Sequence, residues 1–210
     1  MADNYLGKKM EDFLAGKSSA PKRTMTFAKL VAKNRSYRGF DNTFTVREDQ
    51  LRRIMEVVPL CPSARNQQVL RLRAVLSDEA DKVLPYIRLG GALRDLKLPL
   101  PGCEPRAFIV ICSTVAEEKY VNMDIGIAAQ TMLLQAVEIG LNGICIGAFD
   151  KQAVKESLAL PYEPMLILAI GRGAETIRTV EIAEYQSHNY YREDGVHYVP
   201  KLSLDSILIK

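Results

Sequence analysis

The pattern of apolar and polar positions predicts a largely covered helix near the middle of the chain. From Asp124 to Leu141 the apolar residues recur on all sides of a helix, and no residue of Ile125–Val137 is charged. Asn122 or Asp124 is positioned to cap its start, and Gly140 or Asn142-Gly143 predicts its end. A helix on a protein surface keeps a polar stripe, so we expect this one to be covered on nearly every side.

Shorter apolar runs predict buried strands, and helical spacing predicts helices between them. The predicted strands are residues 69–76, 107–112, 144–147 and 165–171. The predicted helices begin near Met25, near Thr45 or Arg47, at Asp78 and at Asp150, and Pro85 interrupts the third. Strands and helices do not alternate as βαβ repeats, and no G-x-G-x-x-G occurs. The pattern therefore favours an α+β fold over a dinucleotide-binding fold of parallel strands.

Length and composition suit one globular domain. The chain has 210 residues, of which 48% are hydrophobic and 25% charged. We predict that residues 1–24 form an N-terminal arm and that residues 25–210 form the domain. No apolar run reaches the ~18–20 residues that span a bilayer, and the first residues lack a signal-peptide core. The four cysteines form no C-x-x-C pair, so we expect a cytoplasmic protein that does not enter membranes.

Charge and histidine content argue against two classes of site. The net charge is only +3, and few aromatic residues are interleaved with the basic ones, so nucleic acid is not expected. A phosphate-bearing small molecule would suit the local basic clusters just as well. His188 and His197 have no cysteine or acidic ligands at a recognised spacing, so no metal site is predicted. Both histidines are expected on the surface.

Two polar loops contain side chains suited to binding a ligand. Asn34–Phe40 presents two arginines separated by Ser-Tyr, which can offer guanidinium forks and a hydroxyl to a phosphate or a planar heterocycle. Taken alone, it is better interpreted as a solvated basic turn, because runs of charged residues are usually solvated. Cys61–Gln68 contains Ser, Asn and Gln, whose donors and acceptors match the edge of a heterocycle. The alternative is an Asx or Ser turn with no ligand.

A third motif follows the covered helix. The short apolar strand Ile144–Gly147 opens at Gly147-Ala148, which suggests a place where a flat ligand lies against the backbone. An ordinary core helix and core strand explain this stretch alone about as well.

These motifs, in this order and spacing, resemble the nitroreductase family. They are Arg-Ser-Tyr-Arg-Gly-Phe at 35–40, Pro-Ser-Ala-Arg-Asn-Gln-Gln at 62–68, and Gly-Ile-Cys-Ile-Gly-Ala-Phe-Asp at 143–150. The resemblance covers about Met25 to Lys210. It implies an FMN-dependent homodimeric flavoprotein whose mixed, mainly antiparallel sheet is wrapped by helices. It also implies a domain-swapped C-terminal segment that reaches onto the partner.

The resemblance further implies a role for each matching residue. The Arg-Ser-x-Arg element would contact the FMN phosphate and the pyrimidine edge, and the Pro-Ser-x-x-Asn loop would reach the flavin from the partner subunit. Backbone amides after the third strand would lie near flavin N5 and O4, and a basic residue of the C-terminal crossover would meet the phosphate. The predicted cofactor-binding residues are Arg35, Ser36, Arg38, Pro62, Ser63, Ala64, Asn66, Gln68, Cys145, Ile146, Gly147, Ala148 and Lys201. The chain departs from the family pattern at Asn34 and Leu202, where basic residues are usual, and it has no tryptophan.

In such a protein NADH or NADPH would give hydride to flavin N5, and a small acceptor such as a nitroaromatic or a quinone would then take the electrons. The sequence contains no recognisable nucleophile–base pair, so no catalytic side chain is predicted. A non-catalytic FMN carrier or sensor is the alternative function. The irregular, leucine-rich stretch Gly90–Gly102 is predicted to gate substrate access, with a packed connector as the alternative.

Overall fold

The computed structural model describes residues 25–91, 93 and 96–209. The arm predicted for residues 1–24 lies outside these residues. The α-helices are α1 (Phe27–Lys33), α2 (Glu48–Met55), α3 (Lys119–Glu138), α4 (Lys151–Ser157) and α5 (Leu204–Ile207). The strands are β1 (Leu70–Val75), β2 (Ala107–Ser113), β3 (Asn142–Ile146), β4 (Glu163–Gly171), β5 (Thr176–Ile182), β6 (Tyr191–Glu193) and β7 (Val196–Leu202). Short 3₁₀ turns occur at Val58–Leu60, Ala64–Asn66, Ala80–Lys82 and Leu84–Tyr86.

The central sheet consists of β1 to β4 in the order β1-β2-β4-β3, and every neighbouring pair is antiparallel. Helices cover both of its faces. Ile109 and Ile111 of β2 belong to the core under α3, whereas Phe108 and Val110 belong to a second core that includes Val154 of α4. Successive side chains of a strand point to opposite faces of the sheet. A strand whose two faces are both covered by helices therefore has apolar residues at consecutive positions. The predicted α+β fold is confirmed.

The long helix α3 begins earlier than the sequence predicts. It starts at Lys119 with Glu118 as its N-cap, and Glu118 makes no side-chain capping bond. The extra turn is stabilised by packing, because Val121 is buried in the core. The predicted caps at Asn122 and Asp124 are therefore wrong. The predicted end is confirmed, since the helix stops at Glu138 and Gly140 adopts a φ of 83°.

The helix predicted from Asp78 is also wrong. The chain there forms the two short 3₁₀ turns at Ala80–Lys82 and Leu84–Tyr86. Pro85 lies in the second turn, where it cannot continue an α-helix because it lacks a donor and its ring clashes with the preceding turn. Ala80 and Val83 are buried in the core nonetheless.

One face of α3 remains uncovered within a single chain. Met123 is 49% exposed and Ile127 is 39% exposed, and Leu134 on the same face is half-buried. These positions recur at helical spacing, so they form one apolar stripe. We call Met123, Ile127 and Leu134 the α3 stripe.

The C-terminal part of the chain forms a second sheet, in which the strand order is β5-β7-β6. β7 is parallel to β5 and antiparallel to β6, so all these pairings lie within one chain. The described residues therefore make the whole sheet assembly mixed and mainly antiparallel, as predicted. The domain swap stays a prediction.

The segment that carries the first motif lies beside the free edge of the central sheet. Ser36 forms a parallel bridge with Gly143 of β3, and Phe40 forms an antiparallel bridge with Gly173. The close approach requires glycine, because a Cβ at Gly173 would lie 2.2 Å from the Tyr37 ring. This packing fixes the positions of the arginines that flank Tyr37.

Candidate functional site

Four of the predicted cofactor-binding residues lie around one cavity of about 310 Å³, which we call the basic cavity. The first motif and β7 supply most of its walls, and Tyr190, just before β6, supplies the rest. Its lining residues are Asn34, Arg35, Ser36, Arg38, Tyr190, His197, Val199 and Lys201. The structure thus brings Arg35, Ser36 and Arg38 together with Lys201, although more than 160 residues separate them in the sequence.

Arg38 is the most enclosed charged group of the cavity, with 8% of its surface exposed. Its Nη1 atom donates to the Ser36 carbonyl oxygen at 3.0 Å and lies 3.2 Å from Nε2 of His197. The guanidinium carbon lies 4.3 Å from the centre of the Tyr190 ring, a cation–π distance. Arg38 is therefore held in one orientation by three neighbours.

Glu175 fixes the backbone on either side of this arginine. Its Oε2 accepts hydrogen bonds from the backbone N–H groups of Arg38 and Gly39, the latter at 2.9 Å. Its Oε1 accepts from Arg192, and both side chains of this ion pair are largely buried. One carboxylate thus joins the first motif to the C-terminal sheet, a role that no local sequence pattern indicates.

The buried polar atoms around the cavity share one property. Among the described residues, the buried side-chain nitrogen and oxygen atoms without a partner are Nε of Arg35, Nε of Arg38, Nε of Arg192 and Nδ1 of His197. The three arginine atoms are donors only. Buried donors without acceptors are costly, so this region fits a ligand rich in acceptor oxygens. The phosphate of FMN is such a group, and three of the four residues line the basic cavity.

The prediction that His197 lies on the surface is wrong, since only 2% of its surface is exposed. A signal for this was present in the sequence. His197, Val199 and Lys201 alternate along β7, so all three point to the same face, and all three line the basic cavity. A strand assignment for this stretch would have located His197 beside Lys201. His188, by contrast, is exposed as expected.

We predict that His197 makes the folded state less stable in mild acid. Burial lowers the pKa of His197 below its ordinary value of 6.5, and Arg38 and Arg192 lower it further against the opposing effect of Glu175. The unfolded chain then binds a proton more readily than the folded one. The free energy of unfolding therefore has its full value, as far as His197 is concerned, above about pH 6.5, and this contribution is lost as the pH falls through the lowered pKa. Urea unfolding of the wild type and His197→Asn between about pH 5 and 7.5 measures this, and the variant should show a flatter profile.

The second motif lies at a different cavity, of about 210 Å³, which we call the loop cavity. Pro62, Ser63, Asn66 and Gln68 are among its lining residues. The loop is strained, because Arg65, Asn66 and Gln68 all have φ values between 51° and 54°. Left-handed conformations of residues other than glycine persist only where the surroundings impose them.

Asp124 supplies that constraint. Its carboxylate is buried, with 5% of the residue's surface exposed, and accepts from the Ser63 hydroxyl at 2.6 Å and the Ala64 N–H at 2.9 Å. Ser63 Oγ in turn accepts from the Gln68 N–H at 3.1 Å. The residue predicted as a helix cap therefore holds the loop instead.

The third motif ends at the edge of the central sheet. Ile146 is buried, whereas Cys145, Gly147 and Ala148 are exposed. A Cβ built on Gly147 meets no atom within 4 Å, and Ala148 lines a further cavity of about 450 Å³. In the part of the chain that the structure describes, no residue lines both the basic cavity and the loop cavity. A single chain thus presents the three predicted groups separately.

The predicted gate, Gly90–Gly102, is described only in part, since residues 92, 94 and 95 lie outside the described residues. Leu98 and Leu100 line a cavity of about 140 Å³ together with Arg38 and His197. The stretch therefore adjoins the residues of the basic cavity, and its gating role stays a prediction.

Residues 25–91, 93 and 96–209 contain neither a metal-binding cluster nor a membrane-spanning helix. No group of histidine, cysteine, aspartate and glutamate side chains there is arranged to bind a metal ion. None of the helices in those ranges combines the length and apolarity needed to cross a membrane.

Comparison with known proteins agrees with this fold. Residues 106–172 match the model of the nitroreductase family. A provisionally named nitroreductase of Methanocaldococcus jannaschii is 35% identical over 57 residues, which are 27% of this chain and 29% of that protein. The match therefore spans less than a third of the curated relative's length.

Solved structures extend the similarity to most of the chain. A nitroreductase family protein of Streptococcus pneumoniae has a TM-score of 0.64 at 18% identity and matches 88% of this chain and 100% of its own. An FMN-dependent nitroreductase of Clostridium difficile has a TM-score of 0.57 at 24% identity, over 71% of this chain and 88% of its own. At these identities the two structures establish a shared fold. Residues 106–172 therefore match the nitroreductase family, and the chain as a whole has the fold of that family's solved members.

Proposed function

We propose that this protein is an FMN-dependent oxidoreductase that passes hydride from NADH or NADPH, by way of flavin N5, to a small acceptor such as a nitroaromatic or a quinone. The observation that carries the proposal is the basic cavity, where Arg35 and Arg38 each keep a buried donor without an acceptor. A phosphate offers several acceptor oxygens and a negative charge, which complement both features. The FMN-dependent nitroreductase of similar fold supports FMN as the source of that phosphate.

The chain's own residues would bind and orient the cofactor. Arg35, Ser36, Arg38 and Lys201 would hold the phosphate end, since they line one cavity. The open space beside Gly147 would admit a flat ring against the backbone. Bound FMN would supply the redox chemistry itself.

The first test is cofactor content and turnover. The purified protein should be yellow with about one FMN per chain, and anaerobic NADH or NADPH should bleach its visible spectrum. A yellow protein that neither nicotinamide cofactor bleaches would indicate the carrier or sensor instead. A colourless protein that does not bind added FMN would refute both functions.

Arg38→Ala should weaken FMN binding by about 10- to 150-fold, since a hydrogen bond to a charged group contributes roughly 1.5–3 kcal/mol. Fluorescence titration of the flavin-free protein measures the change. Arg38→Lys is the matched control: it keeps the charge but loses the guanidinium fork, so it should recover only part of the affinity. Unchanged binding in Arg38→Ala would remove this residue from the site.

We further propose that the working form is a homodimer with a C-terminal segment exchanged between subunits. Two features support this. The α3 stripe is apolar and uncovered in one chain. The C-terminal end exposes Leu204, Ile207, Leu208 and Ile209, each more than half exposed, which is unfavourable unless another surface covers them. The loop cavity and the basic cavity could then meet across the interface, with Pro62, Ser63, Ala64, Asn66 and Gln68 of one subunit facing the flavin held by the other.

Sedimentation velocity tests the assembly. The wild type should remain dimeric well below micromolar concentration, because an interface of about 2,000 Å² or more is typical of obligate dimers. Ile127→Glu introduces a charge into the α3 stripe and should favour monomers, whereas Gln152→Glu introduces a charge at an exposed position of α4, away from the stripe, and should have less effect. A stable, flavin-loaded wild-type monomer would contradict the proposal.

We propose that this activity takes place in the cytoplasm. We also propose that residues 25–210 form the domain that carries it and that residues 1–24 form an arm before it. The four cysteines, Cys61, Cys103, Cys112 and Cys145, are all free thiols, which is usual in a reducing compartment. Secretion of the mature protein with intact disulfides would contradict this location.

A further inference from the structure

We infer that His197 is a phosphate ligand of the cofactor, acting through a proton fixed on Nδ1, and that it makes the site select FMN over flavin without a phosphate. This inference rests on the proposed function. The predicted cofactor-binding residues do not include this histidine. It lies four residues before Lys201 on the same face of β7 and lines the basic cavity with it.

The position of the proton follows from the neighbour. Nε2 of His197 lies 3.2 Å from Nη1 of Arg38. A guanidinium has donors only, so Nε2 must accept this hydrogen bond and carry no hydrogen. A neutral imidazole then has its single proton on Nδ1, which makes Nδ1 a donor.

That donor is buried and has no acceptor within the described part of the chain. The ring cannot easily turn away, because Tyr190 packs against it with ring centres 5.2 Å apart and Arg38 holds its other nitrogen. His197 is also one of the most completely buried side chains described. An oriented N–H without a protein acceptor, on a residue that lines a basic cavity, is expected of a ligand-binding donor rather than of a solvated side chain.

The donor adds a directional contact to the charges that surround it. Arg35, Arg38 and Lys201 attract any anion, whereas the fixed N–H of His197 can be satisfied only by an acceptor that lies along the N–H direction. Riboflavin has the same ring as FMN but no phosphate. Loss of the His197 donor should therefore affect FMN binding and leave riboflavin binding nearly unchanged.

Fluorescence titration of the flavin-free full chain with FMN and with riboflavin tests this. His197→Phe keeps a ring but no donor, and we expect FMN to bind about 10- to 150-fold more weakly while riboflavin changes by less than about threefold. His188→Phe alters the exposed histidine and should change neither ligand. Circular dichroism of each variant checks that it is folded.

Two further variants separate direct contact from an effect through Arg38. His197→Asn can bring an amide N–H near the position of Nδ1, and His197→Gln can bring its amide near that of Nε2, opposite Arg38. Direct contact predicts that Asn restores FMN selectivity and Gln does not. This comparison also decides the question if His197→Phe folds poorly.

Three results would overturn the inference in distinguishable ways. Equal weakening of FMN and riboflavin would make His197 a structural residue only. Rescue by Gln rather than Asn would make it a positioning residue for Arg38. A wild-type protein that binds neither flavin would refute the proposed function itself. Nitrogen NMR of the folded protein gives an independent check, because a protonated Nε2 would contradict the assigned tautomer at once.

Discussion

Replacing Glu175 with alanine should lower the free energy of unfolding by about 3–5 kcal/mol, as expected when one partner of a buried ion pair is removed. The side chains of Glu175 and Arg192 are only 10% and 24% exposed. The substitution leaves Arg192 without its counter-charge and leaves the backbone donors of Arg38 and Gly39 unpaired. Urea unfolding followed by circular dichroism measures the loss.

A matched control, Glu56, is the C-cap of α2. Glu56 forms an ion pair with Arg52 at 3.2 Å, but these side chains are 61% and 78% exposed. Glu56→Ala should therefore cost less than about 1 kcal/mol. Glu175→Gln keeps an acceptor for the backbone donors and should fall between the two. If Glu175→Ala costs no more than Glu56→Ala, Glu175 does not hold the two segments together.

The second large effect is expected at Asp124. Asp124→Ala removes the acceptor of the Ser63 hydroxyl and the Ala64 N–H and should cost about 3 kcal/mol, because each hydrogen bond to a charged group contributes roughly 1.5–3 kcal/mol. The loop of Arg65, Asn66 and Gln68 would then be free to leave its left-handed conformations. If this loop contacts the flavin of the partner, FMN retention should fall as well.

Three variants make the measurement specific. Asp124→Asn keeps the shape and one acceptor oxygen, so it should retain part of the stability. Asn122→Ala lies on the exposed part of the same helix and should have little effect. In a double-mutant cycle, Ser63→Ala and Asp124→Ala should be strongly coupled. Additive effects of these two changes would contradict the role assigned to Asp124.

Both carboxylates hold in place a segment that contains predicted cofactor ligands. Glu175 fixes the backbone of the first motif against the C-terminal sheet, and Asp124 fixes the second motif against α3. Neither is predicted to contact the flavin. Their replacement should therefore reduce stability and cofactor retention together, whereas Arg38→Lys should reduce cofactor retention more than stability.

The central sheet and much of its cover can be predicted from the sequence without any knowledge of the fold. β2 is apolar at nearly every position because both faces of the sheet are buried, and such a run is informative without any partner being known. Local signals are equally reliable where the interaction is local. Asp150 caps α4 by accepting from the Ala153 N–H at 3.0 Å, and Gly140 ends α3 with a positive φ.

Four of the predicted cofactor-binding residues line the basic cavity. Arg35, Ser36, Arg38 and Lys201 were grouped by their resemblance to a family, not by any pattern that brings distant residues together. The structure arranges them around one cavity. Their contact with FMN remains a prediction.

The roles of Asp124, Glu175 and His197, in contrast, depend on contacts that form only when the chain folds. Asp124 looked like a helix cap because capping is inferred from neighbouring residues, but its partners Ser63 and Ala64 are about 60 positions away. No local pattern marks Glu175, because its bonds to Arg38 and Gly39 span more than 130 positions. His197 is buried because Arg38, 159 positions away, and Tyr190 pack against its ring. The residues next to a polar side chain in the sequence do not indicate a hydrogen-bond partner that is far away along the chain. Only folding brings such a donor and acceptor within hydrogen-bonding distance.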